Sequence, residues 1–159
     1  MAQQKPDSRL ANKERWLAVL RIFAGLFFLN AGIPKLNSEF VGGMAATLKG
    51  FADGSWEWYR DFLLNTALPH ATSLGYLVSL GEVAIGAALL LGLFTGLASI
   101  AGASMTINYY LATSHMGPAS EGINLYATVV FIILLATQAG RVWGLDYYLA
   151  RKWRGWILW

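Results

Sequence analysis

Glu82 is the residue that asks for an explanation first. It stands inside LGYLVSLGEVAIGAALLLGL, residues 74–93, which is otherwise apolar. At about 1.5 Å per helical residue that stretch crosses a hydrocarbon core of roughly 30 Å, with the carboxylate nearer its middle than either edge. An unpaired charge there costs at least about 2.5–3.5 kcal/mol. The available bases are Arg21 and Lys35, both on the first apolar stretch, WLAVLRIFAGLFFLNAGIPKL, residues 16–36. Arg21, Gly25, Phe28, Gly32 and Lys35 are spaced 4, 3, 4 and 3, which puts them on one helical stripe. Depth along the helix favours Lys35 as partner, although Arg21 has a stem long enough to reach inward. Two readings of the group compete. One is an ion pair that only fixes helix register; the other is a polar pocket for an anion or a quinone head group.

Asn108 and Tyr109 sit where they can add hydrogen bonds to such a pocket, and Asn30, Tyr110 and Asn124 lie at comparable depth. For all of these, bridging between membrane helices is the competing role, at about 0.6 kcal/mol each. His115, beyond the third apolar stretch, is either a proton donor at the mouth or a solvated loop residue. The chain has no cysteine, so it forms no disulfide, thiolate metal site or iron–sulfur cluster of its own. Its two histidines, His70 and His115, lie near the ends of apolar stretches, so no metal site is expected.

The elements that must hold these groups are membrane helices. With 56% hydrophobic and 13% charged residues, the 159-residue chain falls outside the range of soluble domains. We expect one all-α domain, an integral membrane four-helix bundle with spans near 16–36, 74–93, 97–113 and 123–138. Lys5, Arg9, Lys13 and Arg15 precede the first span, and Arg141, Arg151, Lys152 and Arg154 follow the last, which places both termini in the cytoplasm. The first span reads as a retained anchor, since no small-residue cleavage site precedes it, and Pro34 should end or kink it. Thr95-Gly96 makes a short turn, so the second and third spans are antiparallel neighbours. An outer loop over 114–122 separates the third span from the fourth.

Residues 38–67 are too polar to span. Phe40, Val41, Met44, Leu48 and Phe51 recur at helical spacing after Ser38, and Asp53-Gly54 then breaks the pattern before Ser55. Two short amphipathic helices in the first outer loop are expected, capped by Ser38 and Ser55. Trp56, Trp58 and Tyr59 there are candidate partner contacts. So are Trp153, Trp156 and Trp159 in the basic aromatic tail, 141–159, whose composition suits the headgroup level.

RIFAGLFFLNAGIPKL, with an Arg, two Gly and a Lys at set spacings, resembles the first helix of the DoxX/DoxD proteins. GEVAIGAALLLGLFTGLA resembles their second, and Asn124 and the late Gly144-Leu-Asp146 fit as well. The resemblance covers nearly the whole chain. It implies a four-helix membrane protein and, through the DoxD branch, membership of a thiosulfate:quinone oxidoreductase, with Arg21, Lys35 and Glu82 carried over as the polar core. The chain then reads as a cofactor-poor membrane subunit of a quinone-linked electron-transfer complex, with nothing bound covalently and a quinone as candidate ligand. Such a chain is a candidate subunit of that enzyme and is not expected to be catalytic alone. The alternative is a non-catalytic accessory subunit that assembles a larger complex. Membrane lipid and other membrane subunits are the expected partners, nucleic acid is not, and the expected location is a prokaryotic inner membrane. A transporter is disfavoured, because four spans without an internal repeat lack an alternating-access design.

Overall fold

The computed structural model describes residues 8–152, with side chains from Glu14 onward, and the described residues are helical with no strand. Trp153, Trp156 and Trp159 lie outside them. Helix α1, Ser8–Gly32, ends in a 3-10 turn, Ile33–Lys35, because Pro34 cannot continue the hydrogen-bond ladder. Helix α2 is Ser38–Ala52, α3 Glu57–Phe62, α4 Ala71–Leu91, α5 Thr95–Thr113, α6 Pro118–Thr137 and α7 Asp146–Lys152.

Several details differ from the sequence-based expectation. The cap of α2 is Asn37, one residue before Ser38, and its side-chain oxygen accepts from the Phe40 N–H at 2.7 Å. Ser55 caps nothing either: its hydroxyl donates back to the Phe51 carbonyl, and α3 begins without a side-chain cap. The second amphipathic helix is not separate from the second span, since a π turn, Leu63–Ala67, and a 3-10 turn, Leu68–His70, join α3 to α4 in one helical run, Glu57–Leu91. Likewise α6 begins at Pro118, so the connection from α5 is shorter than the 114–122 loop expected.

The runs Glu14–Lys35, Glu57–Leu91 and Pro118–Thr137 are long and apolar enough to cross a membrane. Helix α5 has 19 residues but is interrupted by Ser, Thr and Asn. Burial is inverted relative to a soluble domain. Phe23, Leu26, Leu77, Leu80, Ile100, Tyr126 and Ile132 are exposed, whereas Arg21, Glu82, Ser99, Thr106, Thr128 and Asp146 are buried. That distribution suits an apolar solvent, in which close packing and interhelical hydrogen bonds hold helices together. Helix α1 lies against α4 so closely that a Cβ on Gly86 would stand 2.9 Å from the Gly25 carbonyl oxygen. Helix α5 lies against α6, where Phe131 fills the space at Gly102 and the Thr106 and Thr128 hydroxyls bond at 2.8 Å. Phe131 also meets Phe28 edge-on, with ring centres 5.0 Å apart, a geometry worth about 0.5–1.5 kcal/mol. Contact between α4 and α5 is looser, and a second cluster built on Met44, Leu48, Tyr59, Leu63 and Ala112 packs beside it, under α2 and α3.

The helical run bends. Tyr59 donates to the Asn108 carbonyl at 3.1 Å, while the adjacent Tyr109 donates to Glu82. Tyr59 and Glu82 would stand about 34 Å apart on a straight helix, too far for two phenol side chains to close. The π turn and Pro69 supply the bend. It folds α3 back across α5.

Candidate functional site

Lys35 ends the 3-10 turn after α1, Glu82 lies midway along α4, and Tyr109 is one turn from the end of α5. The structure brings the three together. The ammonium of Lys35 stands 2.7 Å from both carboxylate oxygens of Glu82, and Tyr109 donates to one of them at 2.7 Å. Gly32 makes the approach possible, since a Cβ there would stand 2.8 Å from the Glu82 Cβ. Glu82 is 2% exposed and Lys35 29%, so the carboxylate is sealed while the ammonium meets open space. Its rim is aromatic: the ammonium is 5.6 Å from the Phe40 ring centre and 5.7 Å from that of Tyr109. Both Glu82 oxygens are within reach of the ammonium, and among the described residues its third proton has no hydrogen-bond acceptor.

Lys35 lines a groove of about 970 Å³ between α4 and α5, walled on its other side by α2 and α3. Near Lys35 the groove holds polar groups from Asn108, Tyr109, Thr113, Ser120 and Asn124. Toward the other end its walls are apolar, with Ala84 and Ala88 on α4 facing Leu97 and Ala101 on α5. An amphiphile with a compact head and a hydrocarbon tail matches that division. Because Glu82 cancels the charge of Lys35, the head favoured is a neutral hydrogen-bond acceptor rather than an anion.

The remaining predicted site residues separate. Asn108 does not reach Glu82; it donates to the Ser104 carbonyl and receives Tyr59. Asn124 donates to the Thr113 hydroxyl at 3.2 Å and to the Ser120 carbonyl at 2.9 Å. Asn30 is exposed, and the His115 ring packs at Gly54. Among the partner-contact candidates Trp56 and Trp58 are exposed, but Tyr59 is buried against the chain itself.

Arg21 belongs to a different site, and Glu82 is not its partner. Its guanidinium is fully buried and donates to the carbonyls of Ala139 (2.8 Å), Val142 (2.9 Å) and Trp143 (3.0 Å). Beside it is Asp146, which the sequence reading placed in a late Gly-Leu-Asp motif without giving it a site role. The Asp146 carboxylate, also fully buried, accepts from the backbone N–H groups of Phe94 (2.7 Å) and Thr95 (2.9 Å), and so caps α5 from 51 residues away. This restrains Phe94 in the left-handed region, at φ 51°. Gln138 and Trp143, the other non-glycine residues with positive φ among those described, lie at the same end. The site is a structural clasp. Asp146→Asn, which keeps the shape but removes the charge from these bonds, should lower stability by about 1.5–3 kcal/mol, measured as a fall in thermal midpoint in detergent.

A family model described as TQO small subunit DoxD matches residues 16–158. No solved structure matches the chain.

Proposed function

The chain belongs to the DoxD family, and from that premise, together with a polar cluster opening on an apolar groove, we propose that it is the quinone-binding membrane subunit of an electron-transfer complex of the thiosulfate:quinone oxidoreductase type. It is a multi-pass membrane protein. We read α1, α4, α5 and α6 as a four-helix bundle in a prokaryotic inner membrane, with α2, α3 and the α5–α6 turn on the outer side and both termini in the cytoplasm. The basic residues at the two ends support that orientation.

The single observation that carries the reading is the juxtaposition of Lys35, Glu82 and Tyr109 with the groove. Lys35 would hold a quinone carbonyl through its ammonium, the Tyr109 and Phe40 rings beside it would border the head, and the Ala84, Ala88, Leu97 and Ala101 walls would take an apolar tail. A bound quinone supplies the capacity to accept two electrons and two protons. Glu82 is a positioning residue: it fixes the ammonium in place and removes its net charge. With no thiol on this chain, electrons would pass to the quinone directly from a sulfur anion or from a cofactor in another subunit.

Ala101 is exposed on the groove wall, so Ala101→Trp fills the tail channel without entering the helix seams. Purified in mild detergent and extracted for lipid-soluble redox species, the native chain should carry stoichiometric quinone, and the variant should lose it while eluting as the same monodisperse species. Equal quinone content in both would sink the proposal. An empty native chain that still co-purifies with its complex would favour an accessory subunit, for which exposed Trp56 and Trp58 are the contact surface.

A further inference from the structure

The groove is polar at only one end, and that asymmetry bears on proton traffic. Above Glu82, toward α2 and the α5–α6 turn, the Tyr109 hydroxyl donates to the carboxylate, the Thr113 hydroxyl donates to the Tyr109 carbonyl, and Asn124 donates to Thr113. Tyr110 and Glu121 meet at the rim, 3.5 Å apart. Below Glu82 the Thr106 and Thr128 hydroxyls satisfy one another, the buried hydroxyls of Thr95 and Ser99 near the start of α5 have no partner among the described residues, and the rest is apolar. Phe28, Ile85, Leu89, Phe131 and Leu134 form a buried apolar layer, and under it the guanidinium of Arg21 is occupied by three carbonyls. A proton crosses a stretch lined by polar groups that can hold water far more readily than an apolar one without partners for it.

We propose that the Lys35–Glu82–Tyr109 cluster exchanges protons with one face of the membrane only, through a hydrated vestibule lined by Thr113, Ser120 and Asn124 at the α2 end, and is sealed from the face beneath Arg21. The titratable groups along the route are Tyr109, Tyr110 and Glu121, with Lys35 and Glu82 at its foot; His115 stands on the turn beside it. The inference rests on the cluster being the working site. It assigns the two protons that accompany quinone reduction to the outer face and leaves the inner face uninvolved.

The absence of native cysteine makes the test direct. Single substitutions Thr113→Cys, Ser120→Cys and Asn124→Cys probe the vestibule, Ala88→Cys and Ala101→Cys the apolar half, and Met116→Cys, on an exposed turn residue, marks which face the α2 end occupies. Each is exposed in oriented membrane vesicles to a membrane-impermeant cationic methanethiosulfonate, added to one face at a time. Only a hydrated thiol ionises and reacts, so the vestibule positions should label at least about tenfold faster than the apolar ones, and from the face that labels Met116→Cys. Labelling from the opposite face would overturn the inference, as would silence at all three vestibule positions, or equal rates at Ala88→Cys and Ala101→Cys. None of these readouts requires quinone, so a failed quinone extraction and a failed vestibule are distinguished.

Discussion

Gly86→Leu should prevent the chain from folding. A Cβ at that position would stand 2.8 Å from the Leu29 backbone nitrogen and 2.9 Å from the Gly25 carbonyl oxygen. Backbone atoms cannot swing aside as a side-chain tip can, so α1 and α4 must part along their whole seam. Overpacking of a well-packed core typically costs about 1–3 kcal/mol, and a larger side chain driven into backbone belongs at or above the upper end. The loss reaches beyond the seam itself: Gly32, two turns along α1, sets the approach that lets Lys35 meet Glu82. The expected result is aggregated or degraded protein, read as loss of the monodisperse peak in detergent. Gly42→Leu is the control, because a Cβ on Gly42 meets nothing within 4 Å; it should purify as wild type. A Gly86→Leu chain with wild-type thermal stability would refute the packing of α1 on α4.

The second large effect is at the ion pair. Lys35→Met leaves Glu82, 2% exposed, without its cationic partner and with a single phenol beside it, a change that typically costs about 3–5 kcal/mol. Lys35→Met combined with Glu82→Gln removes both charges and should recover most of that loss, since the penalty comes from the unpaired charge rather than from the missing attraction. Thermal unfolding of the two single variants and the double variant measures the coupling. Quinone retention separates the two roles that the pair has in principle. If it only fixes helix register, the stable double variant keeps the ligand; if the ammonium holds the head group, the double variant folds and comes out empty. We expect it empty.

How legible this arrangement was depended on whether the signal was local. The 4-3-4-3 stripe on α1 identified Gly25, Gly32 and Lys35 as one face, and depth alone favoured Lys35 over Arg21 for Glu82, because helix rise is nearly invariant. The caps were harder. Asn37 and Ser38 are adjacent and both suited to capping, so the choice turns on backbone angles that sequence does not carry. The continuity of α3 with α4 was hidden because Pro69 and the polar residues before it read as a break, whereas the π turn absorbs the missing donor. Asp146 was invisible as a cap since it serves a helix 51 residues earlier; the family's late Gly-Leu-Asp and a lone acid in an apolar and aromatic run marked the residue but not its role. The groove had no sequence signature at all. It follows from how far α4 stands from α5 and from the bend that lays α3 beside them, both of which are sums over many side-chain sizes.

The bonds of Arg21 to the carbonyls of residues 139, 142 and 143 cross 118 to 122 positions, and this has a consequence for biogenesis. At about 5–20 residues per second a ribosome needs roughly 6–24 s after making Arg21 before its acceptors exist. Through that interval the guanidinium must sit among lipid phosphates and water. The bundle is therefore fastened last at the end where synthesis began, and a chain that stops before Ala139 lacks all three of these acceptors for Arg21.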